Sequence, residues 1–163
     1  MGLTEALGRL LTSFECYYNI KREDVTLPFA AEAEFHLHDS QYFLMKSAKI
    51  SESDSREYIF FSLEEQLSLE KLIELDEKAW SECMNRVQPM DGHKNTDAAL
   101  IILAEKIDGD AFSAVRSLRH TKSYRLGLWG WSNYRLIVFE LSSGRIAHNR
   151  LGESLKRLVS NIY

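Results

Sequence analysis

The sequence predicts an α/β domain, a mixed α+β sheet with helices packed on it, in the order α-β-β-β-α-β-α-β-β-α. Three observations carry this. Apolar residues recur at three- and four-residue spacing near the start of the chain, then switch to strict alternation at Ala31. From Ala98 to Ala104 every position is apolar, as in a central strand covered on both faces. The 163 residues contain no repeat, low-complexity stretch or dividing linker, so residues 1–163 read as one domain.

The elements follow in order. Leu3, Leu7, Leu10, Leu11 and Phe14 form the stripe of a first helix, ending near Tyr18. Pro28 then marks an extended entry into a strand. There Ala31, Ala33, Phe35 and Leu37 alternate with Glu32, Glu34, His36 and His38. Asp39-Ser40 turns the chain into a second strand, Gln41 to Ile50, and Glu57 to Leu63 is a third, giving an antiparallel meander. Ser68 caps a helix with Glu70 in its first turn and Leu69, Leu72, Ile73, Trp80, Cys83, Met84 and Val87 buried. Pro89 and Gly92 close it, and Met90 to Asp97 reads as a polar loop. After the central strand, Asp108 and Asp110 cap a helix with Phe112, Val115 and Leu118 inward. Leu126 to Trp131 and Tyr134 to Leu141 are strands, and Ser142-Ser143-Gly144 turns into a short extended piece ending near His148. Asn149 caps a final helix with Leu151, Leu155, Leu158, Val159 and Ile162 inward.

Composition narrows the functional classes. Hydrophobic residues make up 45% and charged residues 27%, which excludes a disordered, collagen-like or disulfide-scaffold chain. No signal-peptide pattern opens the sequence, and position 6 is Ala6 where myristoylation prefers Ser or Thr. The longest apolar run falls far short of the ~20 residues a membrane span needs, so the expectation is a cytoplasmic protein without a membrane partner. Cys16 and Cys83 lack metal-ligand or dithiol spacing and read as buried, reduced thiols. No cofactor or metal is expected.

Charge is divided unevenly. Residues 1–110 hold 11 basic and 22 acidic side chains, a net of −11, whereas residues 111–163 hold 9 basic and 2 acidic, a net of +7. No acidic residue occurs from Ala111 to Phe139. Three arrangements satisfy this partition. The acidic helix around Glu70, Glu74 and Glu77 neutralises the basic part internally, or an acidic face meets a basic face on another molecule. The third is a site for anions or single-stranded nucleic acid. Arg116, Arg119 and Lys122 at helical spacing share a face, and Trp129, Trp131 and Tyr134 offer stacking surfaces. The overall charge of −4 disfavours a dedicated nucleic-acid protein. The expected binding residues are Arg116, Arg119, Lys122, Arg125, Trp129, Trp131 and Arg135.

Two catalytic candidates stand out. Glu32, Glu34, His36 and His38 share one strand face and have ligand types suited to zinc, iron or manganese, although neighbours ~7 Å apart need a second strand to close on one ion. A two-residue turn at Asp39-Ser40 would place Lys46 opposite Ala33 on the apolar face, where a lysine needs a carboxylate or an outlet to solvent. Phosphate-loop, dinucleotide, nucleophile-elbow and zinc-protease motifs are absent. Gly127-Leu128-Trp129-Gly130-Trp131 precedes a strand, so its glycines serve a bend rather than a phosphate cradle. His93, His120 and His148 read as solvated surface residues.

The run Lys122-Ser123-Tyr124-Arg125-Leu126-Gly127-Leu128-Trp129-Gly130-Trp131, followed by Tyr134-Arg135-Leu136-Ile137, resembles a signature of an uncharacterised bacterial domain family of the Firmicutes type. Phe35-His36-Leu37, Gln41-Tyr42-Phe43-Leu44 and Lys46 are similar to that family too. The resemblance implies a small bacterial cytosolic domain without an assigned activity. The predicted α-β-β-β-α-β order also resembles restriction-endonuclease-like nucleases, without the acid-x-lysine pair of their active site. The favoured expectation is a non-catalytic binding or regulatory domain that engages an acidic protein, or another copy of itself, through its basic C-terminal part. The alternatives are a metal-dependent hydrolase or nuclease descendant and a single-stranded nucleic-acid binder.

Overall fold

The computed structural model describes residues 1–37, 54–89 and 93–162. Seven strands form one mixed sheet in the order β1 (Asn19–Lys21), β2 (Ala31–Leu37), β3 (Asp54–Leu67), β4 (His93–Ile107), β6 (Trp131–Glu140), β5 (Thr121–Ser123). The seventh, β7 (Ile146–His148), also pairs with β6. β3, β4 and β6 run parallel to one another, and every other pairing is antiparallel.

Helices cover both faces. α1 (Leu3–Thr12) and the C-terminal α4 (Lys156–Ser160) pack on one, burying Leu7, Leu10 and Leu11 against Ile59, Phe61, Ile101 and Phe139. α2 (Leu69–Arg86) and the short α3 (Gly109–Ala114) pack on the other, against Phe60, Leu100, Ile102 and Tyr134. Ala98 to Ala104 is fully buried because alternate residues of β4 feed two separate cores. The parallel β3–β4 pair needs a crossover, and α2 supplies it. Its N-cap is Ser68, whose hydroxyl accepts from the Lys71 N–H at 3.2 Å.

Several local expectations are corrected. β2 pairs directly with β3, so no third strand separates them; the expected strand Gln41–Ile50, His38 and Lys46 lie outside the described residues. Asn95 to Asp97 are not loop but the start of β4, held by parallel pairing to Ser55–Glu57. In α2, Leu75 and Asp76 are buried whereas Ile73 is 40% exposed, because the stripe runs through Leu72, Leu75, Ala79 and Cys83. α1 stops at Thr12 and leaves Cys16 exposed in the turns that follow; only Cys83 is buried, and burial pushes its thiol up to about 12. Asp108 precedes α3 but does not cap it, since its carboxylate accepts from the Gln66 amide. The last helix begins as a 3₁₀ turn at Leu151–Leu155.

The greatest departure concerns the basic segment. A helix through Lys122 does not exist: α3 ends at Ala114, a 3₁₀ turn covers Val115–Ser117, and Lys122 lies in β5. The Ser113 and Ser117 hydroxyls donate back to the Gly109 and Ala114 carbonyls, a competition that weakens helix continuation. Nor is Leu126–Trp131 a strand of its own; Leu126–Gly130 is a tight loop, and Trp131 opens β6.

At the far end of β6, Glu140 closes the hairpin into β7. It is 5% exposed and accepts from the Ile107 N–H at 2.7 Å and from Arg145 Nε at 2.8 Å. Hydrogen bonding to Arg145 pulls its carboxyl down to about 2, although burial pushes the other way. A pKa depressed below the ordinary 4.5 gives stability that is complete above pH 4.5 and lost as pH falls towards 2. Because Arg145 is half exposed, the contribution is discounted to about 2 kcal/mol. Urea unfolding at pH 6 and pH 2.5 is therefore expected to show a larger acid loss for the native chain than for Glu140→Gln, by about that amount.

Candidate binding surface

The basic C-terminal segment is built around one rigid loop. Tyr124 is buried, with its hydroxyl 2.9 Å from Ser132 Oγ and 3.5 Å from Met84 Sδ. From this anchor the Tyr124 carbonyl accepts from the Gly127 and Trp129 N–H groups at 3.0 and 3.1 Å, while the Tyr124 N–H donates to the Gly130 carbonyl at 2.9 Å. Closing so short a loop forces φ of 48° at Arg125 and 54° at Leu126, a region that non-glycine residues seldom occupy. Gly127 and Gly130, at φ 87° and 82°, complete it. The loop holds Leu126 wholly exposed and Leu128 80% exposed, and Trp131 beside it is 46% exposed. Strained backbone carrying solvent-facing leucines is stability given up locally, a pattern that clusters at recognition sites.

Lys122 and Arg125 flank this loop. Arg116, Arg119, Lys122 and Arg125 are exposed, and none forms an ion pair with a carboxylate of a described residue. Lys122 Nζ lies 5.6 Å from the Tyr124 ring and the Arg125 guanidinium 4.4 Å from the Trp129 ring. Trp129 thus already carries a cation on its ring. Arg135 does not join the surface: alternation along β6 turns it to the α1 side, where it pairs with the buried Glu57 and burial lowers its pKa. Glu57 also accepts from the Tyr18 hydroxyl at 2.6 Å.

The acidic candidates are committed elsewhere. Glu32 is 5% exposed rather than solvent-facing; it accepts from Arg86 Nη1 at 3.0 Å and from the Thr26 N–H at 2.7 Å. Burial alone would raise its pKa, but the bonds from Arg86 and Thr26 outweigh burial and lower it. Glu34 is half-buried beside Tyr58, the backbone of His36 pairs with Arg56, and Lys46 lies outside the described residues. Among the described residues, no three His, Cys, Asp or Glu side chains are placed to hold a metal.

One constellation escaped the sequence. His120 is not a solvated histidine: its Nε2 lies 2.6 Å from Asp76 Oδ2, its ring stacks on Trp80 at 5.1 Å, and Tyr134 meets it edge-on at 4.9 Å. Asp76 is 2% exposed, and the fully buried Tyr134 phenol interacts with it. Burial, reinforced by the Asp76 charge, holds the Tyr134 phenol well above its usual range. The available signal was Asp76 itself, a carboxylate one position after Leu75 within the apolar stripe of α2.

A family model described as a domain of unknown function, DUF8052, matches residues 3–161. The chain belongs to that family. No curated protein and no solved structure matches it. The DUF8052 match runs from α1 to the end of α4, so the family unit takes in the whole sheet with its two helical layers. It also spans Lys122–Ile137 and Phe35–Leu37, the described segments on which the resemblance to an uncharacterised family rests. No helix among the described residues is long and apolar enough to cross a membrane.

Proposed function

We propose that this domain is a non-catalytic binding or regulatory module of a bacterial cytoplasmic protein, which engages an acidic protein partner through its basic C-terminal part. A second copy of the chain, whose first 110 residues carry a net charge of −11, is one such partner. The observation that carries the reading is the loop at Arg125–Gly130, which with Trp131 sets Leu126 and Leu128 in solvent beside Lys122 and Arg125, two cations without a carboxylate partner among the described residues. Charge of one sign steers a partner of the other and fixes its register, while exposed apolar side chains supply the area that desolvates on contact. A metal-dependent nuclease is disfavoured because Glu32 already serves Arg86. Single-stranded nucleic acid is disfavoured because a base stacking on Trp129 would have to displace Arg125.

The test has two arms. Affinity for a poly-glutamate peptide, and self-association by sedimentation, are measured from 50 to 500 mM salt, with an oligonucleotide as competitor. We expect at least one of the two associations to weaken about tenfold or more with salt, and again in the Leu126→Ser/Leu128→Ser variant. Absence of both associations, salt-indifferent binding, or preference for the oligonucleotide overturns the reading.

A further inference from the structure

A second feature lies beyond that surface, on the outer edge of β6. β5 covers this edge at Trp131–Asn133 and β7 covers it at Ile137–Phe139. In the gap between them a cleft of about 280 Å³ opens, lined by Arg119, His120, Thr121, Asn133, Tyr134 and Arg150 among others. The size suits a small molecule and is well below what a peptide segment needs.

The polar groups of the cleft are predominantly donors. Arg119 and Arg150 stand at its rim from two different parts of the chain, before β5 and after β7, and neither is paired with a carboxylate of a described residue. Asn133 Oδ1 shares the Thr121 hydroxyl with the Ser132 carbonyl, at 3.3 and 3.2 Å, and its amide N–H₂ is a donor. Asn149 is satisfied by the backbone on both its oxygen and its nitrogen, so it shapes the cleft without competing for a ligand. His120 is held from behind, with Asp76 on Nε2 and Trp80 on its ring face, and Nδ1 has no hydrogen-bond partner among the described residues. Asp76 is therefore spent on positioning the imidazole and on the buried Tyr134 phenol at the cleft wall.

We propose that this cleft binds the oxyanion of a small ligand, the phosphate of a monoester or a carboxylate, between Arg119 and Arg150 with Asn133 and His120 as further contacts. Two arginines lining one cleft match the planar, multi-acceptor geometry of such a group better than they match a neutral ligand. The buried Asp76, which gives His120 one fixed orientation, is the feature that separates a built site from two arginines on a surface.

Inorganic phosphate and acetate are titrated separately into the ¹⁵N-labelled full chain, with ionic strength held constant by chloride. We expect saturable shifts confined to Arg119–Thr121, Asn133–Tyr134 and Asn149–Leu151 for at least one probe; response to phosphate alone or to acetate alone identifies the ligand class. Arg150→Gln and Arg119→Gln are each expected to weaken binding about tenfold with an unchanged thermal midpoint, while Lys156→Gln binds as the native chain does. Asp76→Asn is expected to weaken binding and to shift the His120 ring resonances. The proposal is overturned by shifts that never saturate, by shifts spread over Arg116, Lys122 and Arg125 alike, or by Arg150→Gln binding with native affinity. Because Arg150 lies outside the loop surface, its effect separates this site from the acidic-partner reading.

Discussion

Replacing Asn149 with alanine is expected to destabilise the domain by about 3–5 kcal/mol, seen as a lower urea midpoint with an unchanged slope. The side chain is 2% exposed and works as a four-way splice. Its Oδ1 accepts from the Leu136 N–H at 3.1 Å and the Gly152 N–H at 2.8 Å, and its Nδ2 donates to the carbonyls of Leu118 and Tyr134 at 3.0 and 3.1 Å. Those four backbone groups belong to the turn after α3, to β6 and to the C-terminal 3₁₀ turn. Between β5 and β7 no strand among the described residues lies beside the edge of β6, and Asn149 takes its place. Alanine would leave two donors and two acceptors unmatched, each costing about 1–3 kcal/mol where buried. The nearby cleft admits water to some of them, which keeps the total below the sum. Aspartate would do no better, since its second oxygen would face two carbonyls. Amide exchange at Leu136 and Gly152 should accelerate first, and a loss under 1 kcal/mol would show that the splice is dispensable.

The sequence pointed to Asn149 as the cap of the last helix; Arg150 holds the N-cap position instead, without a side-chain cap bond, while Asn149 accepts from the Gly152 N–H three residues on. Its other three bonds join residues 13 to 31 positions away, and no local pattern encodes them. The same division holds elsewhere. The stripe of α1, the alternation of β2 and the all-apolar run in β4 were legible because burial repeats with the period of the element. The basic segment misled because Arg116, Arg119 and Lys122 have helical spacing, whereas the chain after Ala114 must extend to reach the edge of β6. Charge totals were legible too, but not pairings. Arg135 meets Glu57 and Arg145 meets Glu140 only once the sheet has formed, which removes two cations from the surface that composition alone would offer. Asp76 and His120 are 44 residues apart and joined by tertiary packing, so the cleft could not be read from either.

Gly152→Ala is expected to cost about 3 kcal/mol or more, although the change adds a single methyl group. A Cβ at this position would lie 2.1 Å from the Leu136 carbonyl oxygen and 2.9 Å from its carbon, with Asn149 Oδ1 at 3.0 Å. The obstacle is backbone of β6, fixed by its own hydrogen bonds. Leu136 cannot yield, because its carbonyl oxygen accepts from the Asn149 N–H at 3.0 Å while its N–H donates to the Asn149 side chain. The C-terminal turn would have to lift away, taking Leu155 and Val159 from the core on the α1 side. Thermal unfolding measures the cost, and the double variant with Asn149→Ala measures the coupling. If both substitutions detach the same turn from β6, their combined effect should fall short of the sum by about 1 kcal/mol or more. Strict additivity would mean that the glycine and the asparagine hold different parts of the fold. Because Arg150 and Leu151 lie between them, a lifted turn should also open the cleft, so oxyanion binding by Gly152→Ala is expected to weaken at temperatures where the domain is still folded.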